Sequence, residues 1–294
     1  MVCTQSGLAY LPAEPVVLRT VGDLRAFVRA CRGRGETVAL VPTMGALHDG
    51  HLTLAREGLK RADNVIVSIF VNPTQFGPHE DFEAYPRQPA QDIQKLSAVG
   101  AQAVFLPTTA EMYPEGASTS VHVKGITETL EGVCRPGHFD GVATIVTKLL
   151  LQALPDLALF GEKDYQQLQL IKQVVEDLNI PVDIVGVPIV RDPESGLALS
   201  SRNAYLSPAE LVIAGTLNKT LFAMAEKIAA GKSLEAIRTW GVTQIKQAGF
   251  GNIDYLEIRD AQTLIPVTEK DDRPLRILVA AFLGRTRLID NVEA

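Results

Sequence analysis

Through residues 38–190 the chain repeats one rhythm: a short apolar run, a turn, then a longer amphipathic stretch. The apolar runs lie at 38–42, 65–71, 103–107, 156–160 and 182–190, and most are rich in Val, Ile or Leu. A strand that stays apolar at consecutive positions presents apolar side chains on both faces, so both faces need covering. The stretches near 50–61, 90–99, 141–153 and 164–178 carry helical periodicity. This alternation predicts an α/β fold, a doubly wound, Rossmann-like parallel sheet with helices on both faces. After residue 190 the rhythm breaks. Residues 191–207 are polar, hold Pro193, Gly196 and paired serines, and predict a loop or hinge. The run Ser207-Pro208-Ala209-Glu210 then reads as a helix start, with an N-cap serine, Pro at the first helical position and Glu three residues after the cap. Helices near 208–230 and 234–248 and strands near 253–259 and 276–283 predict a second, smaller α+β unit. The predicted division is 1–190 and 191–294, which suits a length of 294 residues at a norm of about 150 per domain.

A net charge of −6 argues against a broad electropositive face for nucleic acid or anionic lipid. No apolar run approaches the roughly 20 residues that span a bilayer, and the first ten residues lack the pattern of a signal peptide. Cys3, Cys31 and Cys134 are odd in number and show no metal-ligand spacing, so they read as small fillers in a protein of the reducing cytoplasm. His79 and His122 stand outside any motif and read as surface residues.

The run PTMGALHDGH at 42–51 follows an apolar strand and opens a helix, the place where doubly wound proteins bind ligands. His48 and His51 are three apart and so share one face of that helix start, where free backbone N–H groups and the helix dipole favour phosphate. Gly50 has no side chain, so a flat base could approach the backbone there. Gly161, Glu162, Lys163 and Asp164 repeat the strand–turn–helix arrangement on another strand, with Lys163 as a point charge for phosphate and Asp164 equally readable as a helix cap. Ser200, Ser201 and Arg202, in the polar segment, offer hydroxyls and a guanidinium as a phosphate grip on a mobile flap. The neutral amides of Asn72 and Gln75, just past the second strand, suit a hydroxy acid, although loop capping explains an isolated Asn-Pro as well.

The HxGH pattern resembles the nucleotidyltransferase superfamily that cleaves ATP between its α- and β-phosphates. With VNPTQF at 71–76, YPR at 85–87, RPGHF at 135–139, FGEKDYQQ at 160–167, LSSRN at 199–203 and the LIDN ending at 288–291, the chain resembles the pantothenate synthetase family in particular. That resemblance implies an ATP-dependent ligase. The pantoate carboxylate attacks the α-phosphorus, pyrophosphate leaves, and β-alanine then attacks the enzyme-bound pantoyl adenylate to give pantothenate and AMP. Positioning and charge stabilisation would dominate such catalysis.

The resemblance implies ATP contacts along Met44, Gly45, Ala46, Leu47, His48, Asp49, Gly50 and His51, along Gly161 to Asp164, at the Val190 backbone, and along Leu199, Ser200, Ser201 and Arg202. Met44 serves core packing as readily. His51 is the expected proton donor to the departing pyrophosphate, with His48, Lys163 and Arg202 offsetting phosphate charge. Gln75 and Gln167 are expected to flank pantoate, with Asn72, Arg135 and His138 near the site, the last two equally readable as loop-fixing. Mg2+ is expected with ATP, Asp92 being its possible helper. A homodimer is implied too. Two alternatives remain: an HxGH nucleotidyltransferase acting on another small substrate, and a nucleotide-binding protein without catalysis.

Overall fold

The computed structural model describes residues 14–78 and 80–294, so the readings of Cys3, His79 and the first ten residues lie outside the described residues. Six parallel strands form the larger sheet: β1 (Val16–Leu18), β2 (Val38–Thr43), β3 (Asn64–Ile69), β4 (Ala103–Phe105), β5 (Leu157–Gly161) and β6 (Asp183–Val187). Their order is β1-β4-β3-β2-β5-β6. The helices of this unit are α1 (Val21–Gly33), α2 (Asp49–Leu59), α3 (Pro89–Val99), the single turns α4 (Thr109–Met112) and α5 (Glu131–Cys134), α6 (His138–Ala153) and α7 (Tyr165–Asp177).

Consecutive apolar residues in the strands do divide between two faces. Val38 and Leu40 of β2, Ile66 of β3 and Phe160 of β5 pack with Leu24 of α1, Phe139 and Leu150 of α6 and Ile171 of α7. Ala39 and Val41, Val65 and Val67, and Leu159 pack instead with Leu52 of α2 and Leu96 of α3. This is the doubly wound α/β fold. The sixth strand ends at Val187, short of the apolar run's end at residue 190, and the chain turns through Pro188 toward the second unit.

Four elements of this unit have no counterpart in the predicted set: β1, α1 and the single turns α4 and α5. At three residues, β1 is too short to show periodicity. The helix α1 was legible, because Thr20 caps it with Asp23 in a capping box and Leu24, Val28 and Cys31 recur along one face.

Beyond residue 190, α8 (Pro208–Ala229) and α9 (Leu234–Gln247) precede an antiparallel sheet of β7 (Ile253–Asp260), β8 (Leu275–Leu283) and β9 (Thr286–Glu293). Ser207 and Glu210 form the expected capping box at α8. Leu217, Leu221 and Met224 of α8 pack on Ile277, Val279 and Ala281 of β8. The opposite face of β8 meets the first unit, where Leu278 packs with Leu130. The unpredicted β9 follows β8 through Gly284, whose φ of 55° makes the hairpin turn.

Candidate active site

The strand order reverses at the β2–β5 boundary: from β2 the chain moves through β3 to β4, while β5 and β6 lie on the other side. Ligands of open α/β sheets bind at such a switch point, beyond the carboxyl ends of the strands. Three sequence motifs leave the sheet there, at the ends of β2, β3 and β5.

After β2, Gly45 (φ 81°) and Ala46 (φ 49°) turn the chain into the left-handed region. Asp92 of α3 holds this strained loop. Its Oδ2 accepts from Ala46 N–H (2.9 Å) and its Oδ1 from Leu47 N–H (2.8 Å). The Gly45 N–H goes to Thr43 Oγ1 (3.2 Å), and Lys95 Nζ donates to the Leu47 carbonyl (2.6 Å). The amides of Gly45, Ala46 and Leu47 are thus engaged within the protein. Asp92, expected to help with Mg2+, is fully buried and spent on the loop.

His48 is the N-cap of α2. Its Nδ1 accepts from Gly50 N–H (3.1 Å), and His51 Nδ1 accepts from His48 N–H (3.4 Å), a capping box built from two imidazoles. With Nδ1 an acceptor in both, each neutral ring carries its proton on Nε2. Neither Nε2 meets a protein partner among the described residues. The rings lie 4.1 Å apart. The imidazole of His48 covers Gly50, where a Cβ would stand 2.8 Å from His48 Cε1, so a side chain of the protein occupies the space read from the sequence as room for a base.

Burial first, then the Lys163 charge, pushes His48 down to about 4, against the raising influence of Asp164 and Asp49. Burial, then His48, Lys163 and Lys95, hold His51 at about 3. His51 is therefore neutral at physiological pH. In this state His51 meets an incoming phosphate as a neutral hydrogen-bond donor. What the pair offers a phosphate is two Nε2–H hydrogen bonds.

After β3, the turn Pro73–Gln75 is capped by Asn72. Asn72 is buried, with Nδ2 donating to Gln75 Oε1 (3.0 Å) and the Gly141 carbonyl (3.2 Å), while Oδ1 accepts from Thr74 and from Tyr113 OH (3.0 Å). With Gln75 Oε1 held by Asn72, its Nε2 is the half of the amide without a protein partner among the described residues. His138 Nδ1 donates to the Gln75 carbonyl (2.8 Å), so His138 Nε2 accepts from Arg135 Nη1 (3.1 Å). Burial and the Arg135 charge keep His138 neutral, at about 4. Arg135 also donates to Glu80 (2.7 and 2.6 Å) and to the Gln75 carbonyl (3.3 Å). Asn72, Arg135 and His138 are hydrogen-bonded to protein partners around Gln75, and Arg135 and His138 also line a small pocket with Lys163 and Gln167.

After β5, the turn Glu162–Asp164 is braced by the second unit. Asn291 Nδ2 donates to the carbonyls of Glu162 and Lys163 (2.9 Å each), Arg276 pairs with Glu162 (3.1 Å), and Arg276 Nε donates to Asn291 Oδ1 (2.7 Å). These contacts leave the Lys163 ammonium free of protein acceptors among the described residues. Gln166 is buried and holds Glu131 N–H (3.0 Å) and the Ile126 carbonyl (2.7 Å). Gln167 is half-buried, lines a small pocket that it shares with Lys163 and Asp164, and has no side-chain hydrogen bond to the described residues.

Residues 191–205 form an ordered turn. The Val190 carbonyl accepts from Leu199 N–H (2.9 Å), and Arg191 is locked on Asp290 (2.7 and 2.9 Å). Ser200 Oγ accepts from Arg202 N–H (3.3 Å), Ser201 Oγ meets Tyr85 OH (3.3 Å), and Arg202 pairs with Asp81. A cleft of about 1040 Å³ between the two units is lined by Lys163, Asp164, Ser200 and Arg202. His48 and His51 are outside that lining, yet the Lys163 charge acts on both. The half-buried Met44 and exposed Asp49 flank the histidine turn.

Several supporting residues escaped the sequence reading: Glu80, Asp81, Lys95, Glu131, Arg276 and Arg287. Buried Glu131 accepts from Arg287 (2.9 and 2.8 Å) and Tyr255 OH (2.6 Å), tying the units together. Charged residues inside a predicted strand or beside a motif were the available signal, but their partners are remote in sequence.

The pantoate-beta-alanine ligase family model matches residues 16–293. The chain is 55% identical over 276 residues to the pantothenate synthetase of Paramagnetospirillum magneticum, covering 94% of this chain and 96% of that one. It is 50% identical over 276 residues to that of Rhodospirillum rubrum, covering 94% and 98%. Among solved structures, the pantothenate synthetase of Thermus thermophilus superposes with a TM-score of 0.89 at 44% identity, covering 95% of this chain and 99% of that one. The Francisella tularensis pantoate-beta-alanine ligase, complexed with beta-gamma ATP and beta-alanine, gives 0.78 at 35% identity, covering 95% and 97%. With a family match over nearly its whole length and relatives at half its residues identical, the chain belongs to the pantoate-beta-alanine ligase family.

Proposed function

We propose that this chain condenses pantoate with β-alanine at the expense of ATP, and that it does so at the β2–β5 switch point. A carboxylate is a poor acyl donor because its leaving group would be oxide. Attack of the pantoate carboxylate on the α-phosphorus expels pyrophosphate and leaves an acyl adenylate. The amine of β-alanine then displaces AMP. The observation that carries this reading is geometric: two imidazoles, each with its Nε2–H unspent, open α2 beyond β2, while Lys163 follows the end of the adjacent parallel strand β5.

In this scheme His48 and His51 donate hydrogen bonds to phosphate oxygens, Lys163 neutralises charge, and Ser200, Ser201 and Arg202 close on the nucleotide from the second unit, residues 191–294, acting as a flap. Donors fixed in place before the reaction need no reorganisation as charge builds. The Nε2 of Gln75 and the amide of Gln167 orient pantoate. Leu199 and the Val190 backbone border the adenine.

Mg2+ enters as the counter-ion of ATP. The Asp92 carboxylate does not fit a metal, because both its oxygens accept from backbone amides. The same proposal includes a homodimer, testable by light scattering, and the cytoplasm, where ATP is supplied. No described helix is long and apolar enough to cross a membrane.

The test is pyrophosphate–ATP exchange that depends on pantoate and proceeds without β-alanine. Formation of ADP, or exchange without pantoate, overturns the reading. Lys163→Ala should lower kcat by about 100-fold or more with an unchanged melting temperature, since the ammonium supports transition-state charge and no described contact of the fold. Near-normal turnover dismisses that role.

A further inference from the structure

We infer that Asp81 is a built-in competitor for the ATP site: its carboxylate holds the Arg202 guanidinium in the manner a phosphate would, so that nucleotide binds by exchanging one anion for another. The inference rests on the assignment of Arg202 to ATP.

Arg202 donates from Nε to Asp81 Oδ2 (3.3 Å) and from Nη2 to Oδ1 (3.0 Å). This forked geometry is the one a guanidinium uses on phosphate as well as on carboxylate, so both anions compete for the same donors. The pair lies at the cleft, with side chains 31% and 26% exposed, open enough for an incoming ligand. Nη1 of Arg202 has no protein acceptor among the described residues and provides a first foothold for the phosphate before the other two nitrogens turn.

The chain beside Asp81 is anchored, and Tyr205 OH also donates to Asp81 Oδ2 (3.5 Å). Glu80, the preceding residue, is clamped by Arg135 (2.7 and 2.6 Å), which also donates to the Gln75 carbonyl. Two consecutive acids therefore hold two arginines, one behind Gln75 and one on the polar segment. When Arg202 turns toward a triphosphate, Asp81 stays and is left as a carboxylate beside the nucleotide. ATP binding pays for that separation once, and pyrophosphate release recovers it as Asp81 takes Arg202 back.

The experiment compares Asp81→Asn, Asp81→Glu and Arg202→Ala by ATP titration calorimetry and pyrophosphate inhibition, with melting temperatures recorded. Removing the competing charge from a partly exposed pair should lower the Kd for ATP and the Ki for pyrophosphate together, by about three- to tenfold. Asp81→Glu, which keeps the charge within reach, should stay near wild type. If Asp81→Asn unfolds, Asp81→Ser carries the same expectation. Unchanged or weaker ATP and pyrophosphate binding in the folded Asp81 variant, with Arg202→Ala weakening both, overturns the inference while leaving Arg202 on ATP. Wild-type binding in Arg202→Ala overturns the underlying assignment.

Discussion

Gly50→Ala separates the stability of the histidine turn from its chemistry. A Cβ on Gly50 would stand 2.8 Å from His48 Cε1 and 2.9 Å from Nδ1. Ordinary carbon–carbon contact is about 3.5 Å, so the ring must retreat by about 0.6 Å or more. That retreat breaks the 3.1 Å bond from Gly50 N–H to Nδ1, and losing such a cap costs about 1 kcal/mol. Alanine in place of glycine within a helix returns up to about 1 kcal/mol. The two nearly cancel, so the melting temperature should move by no more than about 3 °C. Activity is not compensated. The His51 ring lies 4.1 Å from that of His48, so displacing one disturbs both Nε2–H donors. Misplacement of a catalytic group on this scale should cost about 10- to 100-fold in kcat/KM for ATP. A coupled assay of pyrophosphate release at saturating pantoate and β-alanine, beside a circular dichroism melt, measures both. Wild-type kcat/KM in a normally folded Gly50→Ala protein would refute the claim that the orientation of His48 matters.

The neutral histidines make stability depend on pH in a defined direction. His48 and His138 sit at about 4 and His51 at about 3, below the ordinary value near 6.5 that applies in the unfolded chain. The unfolded chain therefore binds more protons in the window between, so stability is full above about 6.5 and falls as pH drops toward 4. Melting temperatures at pH 7.5, 6.0 and 5.0 should decline in that order; a rise on acidification would contradict the burial assigned to these rings. Glu131→Gln removes the charge that pairs with Arg287 across the two units. Breaking a buried pair at one partner costs about 3 kcal/mol, which should lower the melting temperature by roughly 6–12 °C, and an unchanged melt would show the pair to be dispensable.

Periodicity carries information about which faces are buried, and that part of this chain was legible. Consecutive apolar residues in β2, β3 and β5 implied helices on both sides of a parallel sheet, and the Ser207–Glu210 spacing marked the start of α8. The edge strand β1 is too short for any pattern to speak. The final strand β9 was hidden because buried Asp290 interrupts the face of Leu288 and Val292, and buried Asn291 interrupts the other. The histidine spacing located the switch-point turn, yet the sequence could not say that the two rings cap their own helix or that burial makes them neutral.

What the amino-acid order determined by itself was local: strand and helix periods, caps, and a cluster of motifs specific enough to mark the family. What only the tertiary structure decided was the pairing of polar groups far apart along the chain: Asp92 with Ala46 and Leu47, Arg276 with Glu162, Arg287 with Glu131, Arg202 with Asp81. The physical reason is that burying an apolar face requires only the right period, whereas satisfying a buried charge requires one particular partner at hydrogen-bond distance. No local pattern encodes that distance.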